Sequence, residues 1–347
     1  MKLILSCAFS LFFLGLGAQS HTSYLTGSST DINTDPSGGV CLMGGASEND
    51  AAMQWFLQRA KGGDILVIRA SGSDGYNDYL FSELGVPVNS VETIVFHNGQ
   101  AAFDSYVQAK IQQAEAIWIA GGNQWKYVSY WRNSPVDSLI NLGIRDRNIV
   151  IGGTSAGMAI QGGVYFSAEN GTVSSPAALA NPYDNKIKID SSRFIQNDYL
   201  GEVITDTHYD ARNRKGRHAS FLARMITDYG MQAKGIACDE YTAVCIDKEG
   251  IARIFGGHPQ YNDNVYFIQT NCELEIPNPE TCVPNQALHW NLNGEALKVY
   301  RVKGTPTGSY TFDLKDWSTG QGGNWLHWSI RNGVFSERPG TQIRCLP

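Results

Sequence analysis

The chain has 347 residues, 42% of them hydrophobic and 17% charged, with 27 Lys plus Arg against 33 Asp plus Glu and a formal net charge of −6. At roughly 100–200 residues per domain this makes one large domain with an appendage, or two domains, and a core of that size needs no disulfide or metal to be stable. No basic run offers the positive face on which nucleic-acid binding depends, which sets that class aside.

Lys2 opens an uncharged apolar run over residues 3–17, followed by Ala18-Gln19-Ser20. A short cationic start, an apolar stretch of this length and a small-residue site read as a secretory signal peptide over residues 1–20. A bilayer-spanning helix needs roughly 20 apolar residues, and this run is shorter. The expectation is a secreted or periplasmic protein, free of the membrane once the leader is cleaved. Losing the leader removes Cys7 and leaves six of the seven cysteines in an oxidising compartment, where some should pair. Cys272 and Cys282 flank a Pro-containing loop and are the preferred bridge. Cys41 and Cys238 fall in apolar runs and equally suit buried thiols. No CxxC or HxxxH spacing appears, so a zinc site is not expected.

Residues 22–37 are rich in Ser, Thr, Asp and Asn and suit a loose lead-in. An alternation then begins. Residues 40–43 form a short apolar run closed by Gly44-Gly45, and Ser47 with Asp50 resembles a capping box opening a helix through Ala60. Residues 65–68, 93–96, 117–120 and 148–151 are further buried-strand candidates, with a helical pattern over 103–114 between them. Continuous apolar runs separated by helices predict a parallel sheet covered on both faces, an α/β doubly wound fold. The second half keeps one clear helix, 217–229. Residues 244–246, 251–255, 265–270 and 297–302 then read as antiparallel strands that extend the sheet or form a β-rich appendage from about Trp290.

Gly153-Thr154-Ser155-Ala156-Gly157 directly follows the apolar run ending at Ile151. Small residues around a serine permit the tight strand-to-helix turn that presents its Oγ above a sheet edge, and the helix starting there aims the Ala156 amide at the same space. This makes Ser155 a candidate nucleophile. The plainer alternative is a glycine-rich turn with a buried serine. Gly121-Gly122-Asn123-Gln124 follows the preceding strand, so the loop should border Ser155 at the carboxyl edge of the sheet. An amide near Gly122 could serve as a second oxyanion donor and Gln124 could hold a substrate amide. A simple turn leading into a helix fits these residues equally well.

The densest polar segment runs from Asp206 to Arg217. His208 is the base candidate best placed at the end of an element, and Arg212, Arg214 and Arg217 could fork onto a substrate carboxylate. The alternative is a solvated helix start, and His218 is expected at the surface. Asp239-Glu240 puts two acids inside an apolar segment. Either could orient the imidazole, and Glu240 is preferred, with Asp239 and Asp206 behind it.

Together, the GGxQ loop at Gly121, the GGTSAG elbow at Gly152, the D-x-H-x-x-x-R-x-R-x-x-R block at Asp206 and the D-E-x-T-A stretch at Asp239 resemble peptidase family S51, the cyanophycinase and dipeptidase E group of serine peptidases. The likeness runs from about Gly39 to Gly257 and is nearer to the cyanophycinase branch. It implies a mainly parallel flavodoxin-like sheet related to class I glutamine amidotransferases, an S51-like catalytic domain over 38–288, a β-rich C-terminal extension over 289–347, and no metal or organic cofactor. It also implies Ser155 as nucleophile, His208 as base and Glu240 as third member, with Gln124, Asp206, Arg212, Arg214 and Arg217 lining the substrate pocket. The chain departs from the cyanophycinase pattern at Thr207, where that branch carries Gln, and so loses an amide contact. The expected partner is a peptide or isopeptide substrate, cyanophycin among the candidates, with homodimerisation left open. Two rival readings are an α/β-hydrolase-type esterase, whose triad order differs from the base-before-acid order here, and a catalytically silent extracellular binding protein using aromatics near Trp317, Trp325 and Trp328.

Overall fold

A computed structural model describes residues 19–191 and 194–344; the segment expected to be a signal peptide lies almost wholly outside them. The strands in chain order are β1 (His21–Gly27), β2 (Gly39–Met43), β3 (Asp64–Arg69), β4 (Ser90–Phe96), β5 (Ala116–Ile119), β6 (Val150–Thr154), β7 (Tyr165–Phe166), β8 (Ile189–Asp190) and β9 (Val203–Asp206). They continue with β10 (Lys234–Cys238), β11 (Ala243–Ile246), β12 (Ile251–Phe255), β13 (Asn264–Thr270), β14 (Leu297–Lys303), β15 (Tyr310–Asp313), β16 (Gly320–Gln321), β17 (Gly323–Arg331) and β18 (Val334–Pro339). The α-helices are α1 (Asp50–Arg59), α2 (Ser105–Gln113), α3 (Gln124–Trp131), α4 (Pro135–Arg147), α5 (Ala156–Ala159), α6 (Ser175–Ala180) and α7 (Lys215–Tyr229).

One sheet orders its strands β1-β4-β3-β5-β6-β2-β11-β12-β15-β16. The block β4-β3-β5-β6-β2 is parallel throughout. Alternation along β3 explains why both faces are covered. Ile65 and Val67 pack with Met53, Phe56 and Leu57 of α1, whereas Leu66 and Ile68 pack with Val107, Ile111, Val128, Trp131 and Ile140 of α2, α3 and α4. A strand buried on both sides must be apolar at every position, which is why these runs are continuous in the sequence. The fold is α/β, with helices on both faces of this parallel block.

A second sheet orders β18-β17-β14-β13-β10-β9, with β9 and β10 parallel and the rest antiparallel. It lies between the first sheet and α7. Ile236, Cys238, Val265 and Phe267 share a core with Ile254 and Phe312, and Phe267 stacks on Phe312 at 4.2 Å between ring centroids. Ala237 and Ile268 face the other way, onto Leu222 and Met225 of α7. The late strands divide between the sheets: β14, β17 and β18 continue the second, while β15 and β16 extend the first.

Three expectations need correction. The lead-in is not loose throughout, because residues 21–27 form β1, which pairs with β4 along its whole length. Its polar side chains suit a half-exposed edge strand as well as a loop. The cap of α1 is Asn49, whose side chain accepts from the Ala52 amide at 3.1 Å, so the Ser47–Asp50 box is two residues out of register. Finally, Cys272 is disulfide-bonded, but Cys282 is a buried free thiol, so the two do not bridge.

The turn from β6 into α5 packs backbone against backbone. A Cβ on Gly157 would lie 2.0 Å from the carbonyl oxygen of Ile119 in β5, a contact that cannot be relieved by a side-chain rotation. Gly157→Ala is therefore expected to lower stability by about 3 kcal/mol in urea denaturation. Gly75→Ala, where added atoms meet open space, should leave the midpoint nearly unchanged.

Candidate active site

The segments singled out by sequence each lie at the end of a strand: Gly121-Gly122 separated from β5 by one residue, and Ser155, Thr207-His208 and Asp239-Glu240 directly after β6, β9 and β10. Ligands of open α/β sheets collect at such carboxyl edges. What aligns the segments is the end of β2. Its last carbonyl and the two that follow each accept a backbone amide from a different piece of the site. Met43 O takes Ser155 N at 3.1 Å, Gly44 O takes His208 N at 2.8 Å and Gly45 O takes Tyr241 N at 3.2 Å.

The side chains converge accordingly. Ser155 Oγ lies 2.7 Å from His208 Nε2, and His208 Nδ1 lies 2.5 Å from Glu240 Oε1. Ser155 sits at φ 52° and His208 at φ 45°, left-handed conformations that cost a non-glycine residue of order 1–3 kcal/mol each and persist only where surrounding contacts over-determine them. Here the β2 carbonyls supply those contacts. Gly45, at φ 112°, lies flat against the imidazole, and a Cβ there would come within 2.4 Å of His208 Cε1. Burial pushes the His208 pKa down. The hydrogen bond that Nδ1–H donates to Glu240 opposes this, and the cations of Arg212 and Arg214 reinforce it. The lowered pKa favours the neutral imidazole, the form able to accept a proton, with a carboxylate behind it placed to stabilise an imidazolium.

Ala156 heads α5, where its amide has no intrahelical acceptor. The Gly121-Gly122 turn borders the serine, since a Cβ on Gly121 would sit 3.6 Å from Ser155 Cβ. Tyr127 pins this turn by donating to Ala120 O and Gly121 O at 3.0 and 2.9 Å. Gln124 starts α3 and donates its amide to Phe166 O, so that donor is already engaged by the protein.

The polar block after β9 differs from the sequence reading. Asp206, Arg214 and Arg217 do not present themselves together to a substrate: all three are buried. Arg217 Nε meets Asp206 Oδ2 at 2.8 Å and its Nη2 meets Oδ1 at 2.5 Å. Arg214 Nη1 binds Thr207 O at 2.7 Å and Asp206 Oδ1 at 3.3 Å. Arg212 alone of the three arginines is exposed. The physical reason is that β9 ends inside the core, and a carboxylate there must be paired. His218, expected at the surface, is fully buried. Burial drives its pKa down to about 4.

Of the two adjacent acids, Glu240 reaches the histidine. Asp239 turns away and accepts from the Asn264 backbone and side chain at 2.7 and 3.1 Å. Burial, resisted by those bonds and aided by Asp210 and Asp263, pushes it up to about 6. Sequence reasoning missed Gly44, Gly45, Tyr127 and Asp210, whose Oδ1 accepts the Glu240 amide at 3.2 Å. A Gly-Gly pair closing a central apolar run was the available signal. Beside Glu240, the residues Glu48, Asp50, Tyr241, Tyr261 and Asp263 line an open cavity of about 750 Å³. Among the described residues no cluster of three His, Cys, Asp or Glu could hold a metal, and no helix is long and apolar enough to cross a membrane.

Burial works against the charge of Asp206, but Arg217 and then Arg214 outweigh it and take the carboxyl down to about 2. Asp206→Ala leaves two buried guanidinium groups uncompensated and is expected to cost about 3–5 kcal/mol at neutral pH. The folded pKa lies below the unfolded value of about 3.9, so the carboxylate stabilises the fold fully above that pH and progressively less towards pH 2. Urea titrations should accordingly find the gap between wild type and variant closing as the pH falls through that window.

The model of Peptidase family S51 matches residues 73–254, just over half of the chain. The cyanophycinase of Trichormus variabilis is 26% identical over 223 residues, covering 64% of this chain and 69% of the relative. That of Geminocystis herdmanii is 26% identical over 228 residues, covering 62% and 77%, and that of Synechococcus elongatus 24% over 280 residues, covering 76% and 80%. Among solved structures, a peptidase from an acI-B1 Actinobacterium aligns with TM-score 0.48 at 13% identity over 67% of this chain and 91% of that one. A putative peptidase E from Listeria monocytogenes aligns with TM-score 0.37 at 15% identity over 63% and 98%. With its Gly-Gly-x-Gln loop, serine elbow and histidine block inside or bordering the matched span, the chain belongs to peptidase family S51, in its cyanophycinase-like group.

Proposed function

We propose that the protein is an exported serine-type peptidase that hydrolyses peptide or isopeptide bonds at aspartyl residues through a Ser155–His208–Glu240 triad. The observation that carries this reading is the unbroken hydrogen-bond chain from Ser155 Oγ through both imidazole nitrogens to Glu240. His208 Nε2 takes the hydroxyl proton as Ser155 Oγ attacks the carbonyl carbon. The tetrahedral oxyanion is met by the Ala156 amide and an amide of the Gly122 turn. His208 then gives its proton to the departing amine, and a water, deprotonated by the same nitrogen, releases the acid from the acyl-enzyme. Glu240 holds the imidazole in the tautomer that leaves Nε2 free to accept.

Exopeptidase action on an aspartyl unit is part of the proposal, with exposed Arg212 as the cation that meets its free carboxylate. The carboxylates of the neighbouring cavity suit a substrate that also carries positive charge, as cyanophycin does. Thr207 is buried and bonded to Arg214, so this position offers the substrate less than the amide of the cyanophycinase pattern. Export rests on the apolar segment behind Lys2.

Ser155→Ala is expected to fold normally and to lose about 10⁶-fold in kcat on isoaspartyl dipeptides or cyanophycin. A fluorophosphonate probe should label the wild type at Ser155 and leave the variant untouched. An unlabelled wild type would favour a binding protein, and turnover of esters alone an esterase. The depressed His208 pKa places the acid limb of kcat/KM below the ordinary histidine value. Arg212→Gln removes a cation that disfavours the imidazolium, so it should move that limb to higher pH, whereas Arg212→Lys should not.

A further inference from the structure

Cys41 and Cys245 take no part in the chemistry above, yet they are cross-strand partners in the antiparallel pair β2–β11. Gly44 N donates to Thr242 O at 2.9 Å, and Gly44 and Thr242 are the next opposed residues beyond the Met43–Ala243 pair. Hydrogen-bonded and non-hydrogen-bonded pairs alternate along an antiparallel ladder. Gly44–Thr242 being hydrogen-bonded, Leu42–Val244 is too, and Met43–Ala243 and Cys41–Cys245 fall at the non-hydrogen-bonded sites. There the Cα atoms approach to about 4.5 Å and the side chains are closest, within the Cα range a disulfide accepts. The two Sγ atoms are 3.6 Å apart, both wholly buried on the face covered by α1, where Cys245 Sγ also reaches Ala52 O at 3.9 Å.

We propose that Cys41 and Cys245 are a modification site: a dithiol, as seen here, that closes to a cross-strand disulfide when the chain folds in the presence of a small-molecule disulfide. The thiolate of one cysteine attacks a sulfur of that disulfide, forming a mixed disulfide and expelling one small thiol. The second cysteine, as its thiolate, then attacks the protein-bound sulfur and expels the other. The protein loses two electrons and two protons, and the small disulfide becomes two thiols. Burial raises the Cys245 pKa well above its ordinary value and shields both sulfurs, so the first exchange belongs to folding, while the sulfurs are still open to solvent. The second follows as β11 pairs with β2 and brings the two cysteines opposite each other. Once closed, the bond ties β2 to β11, whose neighbouring residues Gly44, Gly45, Tyr241 and Thr242 frame His208 and Glu240. It would hold that frame together without entering the reaction.

The test is to denature and reduce the full chain, refold it in a buffer of oxidised and reduced glutathione, block remaining thiols with iodoacetamide in denaturant, and map the peptides by mass spectrometry. The expected result is a Cys41–Cys245 link in addition to the disulfide of Cys272, with Cys238 and Cys282 alkylated. Complete alkylation of Cys41 and Cys245, or a Cys41–Cys238 link, would overturn the proposal. Cys245→Val, treated in the same way, should leave Cys41 alkylated. The mapping needs no catalytic readout, so it stands or falls independently of the proposed peptidase activity.

Discussion

Three consecutive carbonyls, those of Met43, Gly44 and Gly45, hold the site together. Each accepts one backbone amide, and the three amides belong to Ser155, His208 and Tyr241, on segments that follow three different strands from two sheets. A hydrogen bond of this kind contributes only about 1 kcal/mol net, but its directionality fixes where each following side chain begins. Displacing one segment by a single residue would break its bond to β2 and carry its side chain to the wrong face. The strained backbone at Ser155 and His208 is therefore a consequence of the arrangement: the carbonyls of β2 are where they are because β2 lies between β6 and β11, and the two residues conform to them.

The electrostatic design has two layers. Nearer the surface of the site, Glu240 is partly accessible and holds the nearly buried His208 through its Nδ1. Beneath them, Asp206, Arg214 and Arg217 form a closed ionic group that anchors the end of β9 to the start of α7 and to the Thr172–Val173 segment, through Arg217 Nη1 to Thr172 Oγ1 at 3.0 Å. A buried group of this kind adds little net stability compared with an apolar filling, but removing one member leaves unpaired charge. It acts as a fixed support for the strand whose next turn carries the histidine. The same burial explains why His218, ten residues beyond His208, is kept neutral and plays a packing role, ring edge against Tyr209.

The parallel block was legible because a doubly covered strand leaves an unbroken apolar run. Residues 65–68 and 117–120 announce themselves in this way, as does α7 by its periodic face. The serine elbow was legible because the turn requires small residues at fixed positions. The edge strand β1 was not, since its half-exposed polar residues carry no such signature. Nor was the allocation of late strands to two sheets, because antiparallel strands with similar alternation pair equally well by pattern alone and their partners are chosen by distant packing, such as Phe267 against Phe312.

The sequence by itself determined the fold class, the serine at the end of a central strand, and which histidine and which pair of acids deserved to be brought to it. Local chemistry decides these: residue size in a turn, apolar continuity in a strand, polarity at its end. Only the tertiary structure decided that Glu240 rather than Asp239 faces the imidazole, that two of the three arginines are bound to Asp206, and that Cys41 opposes Cys245. Adjacent residues near a strand end point in different directions, and burial assigns charges to partners far away in the chain. Both depend on the register between strands and on the surface each one meets, which no local pattern encodes.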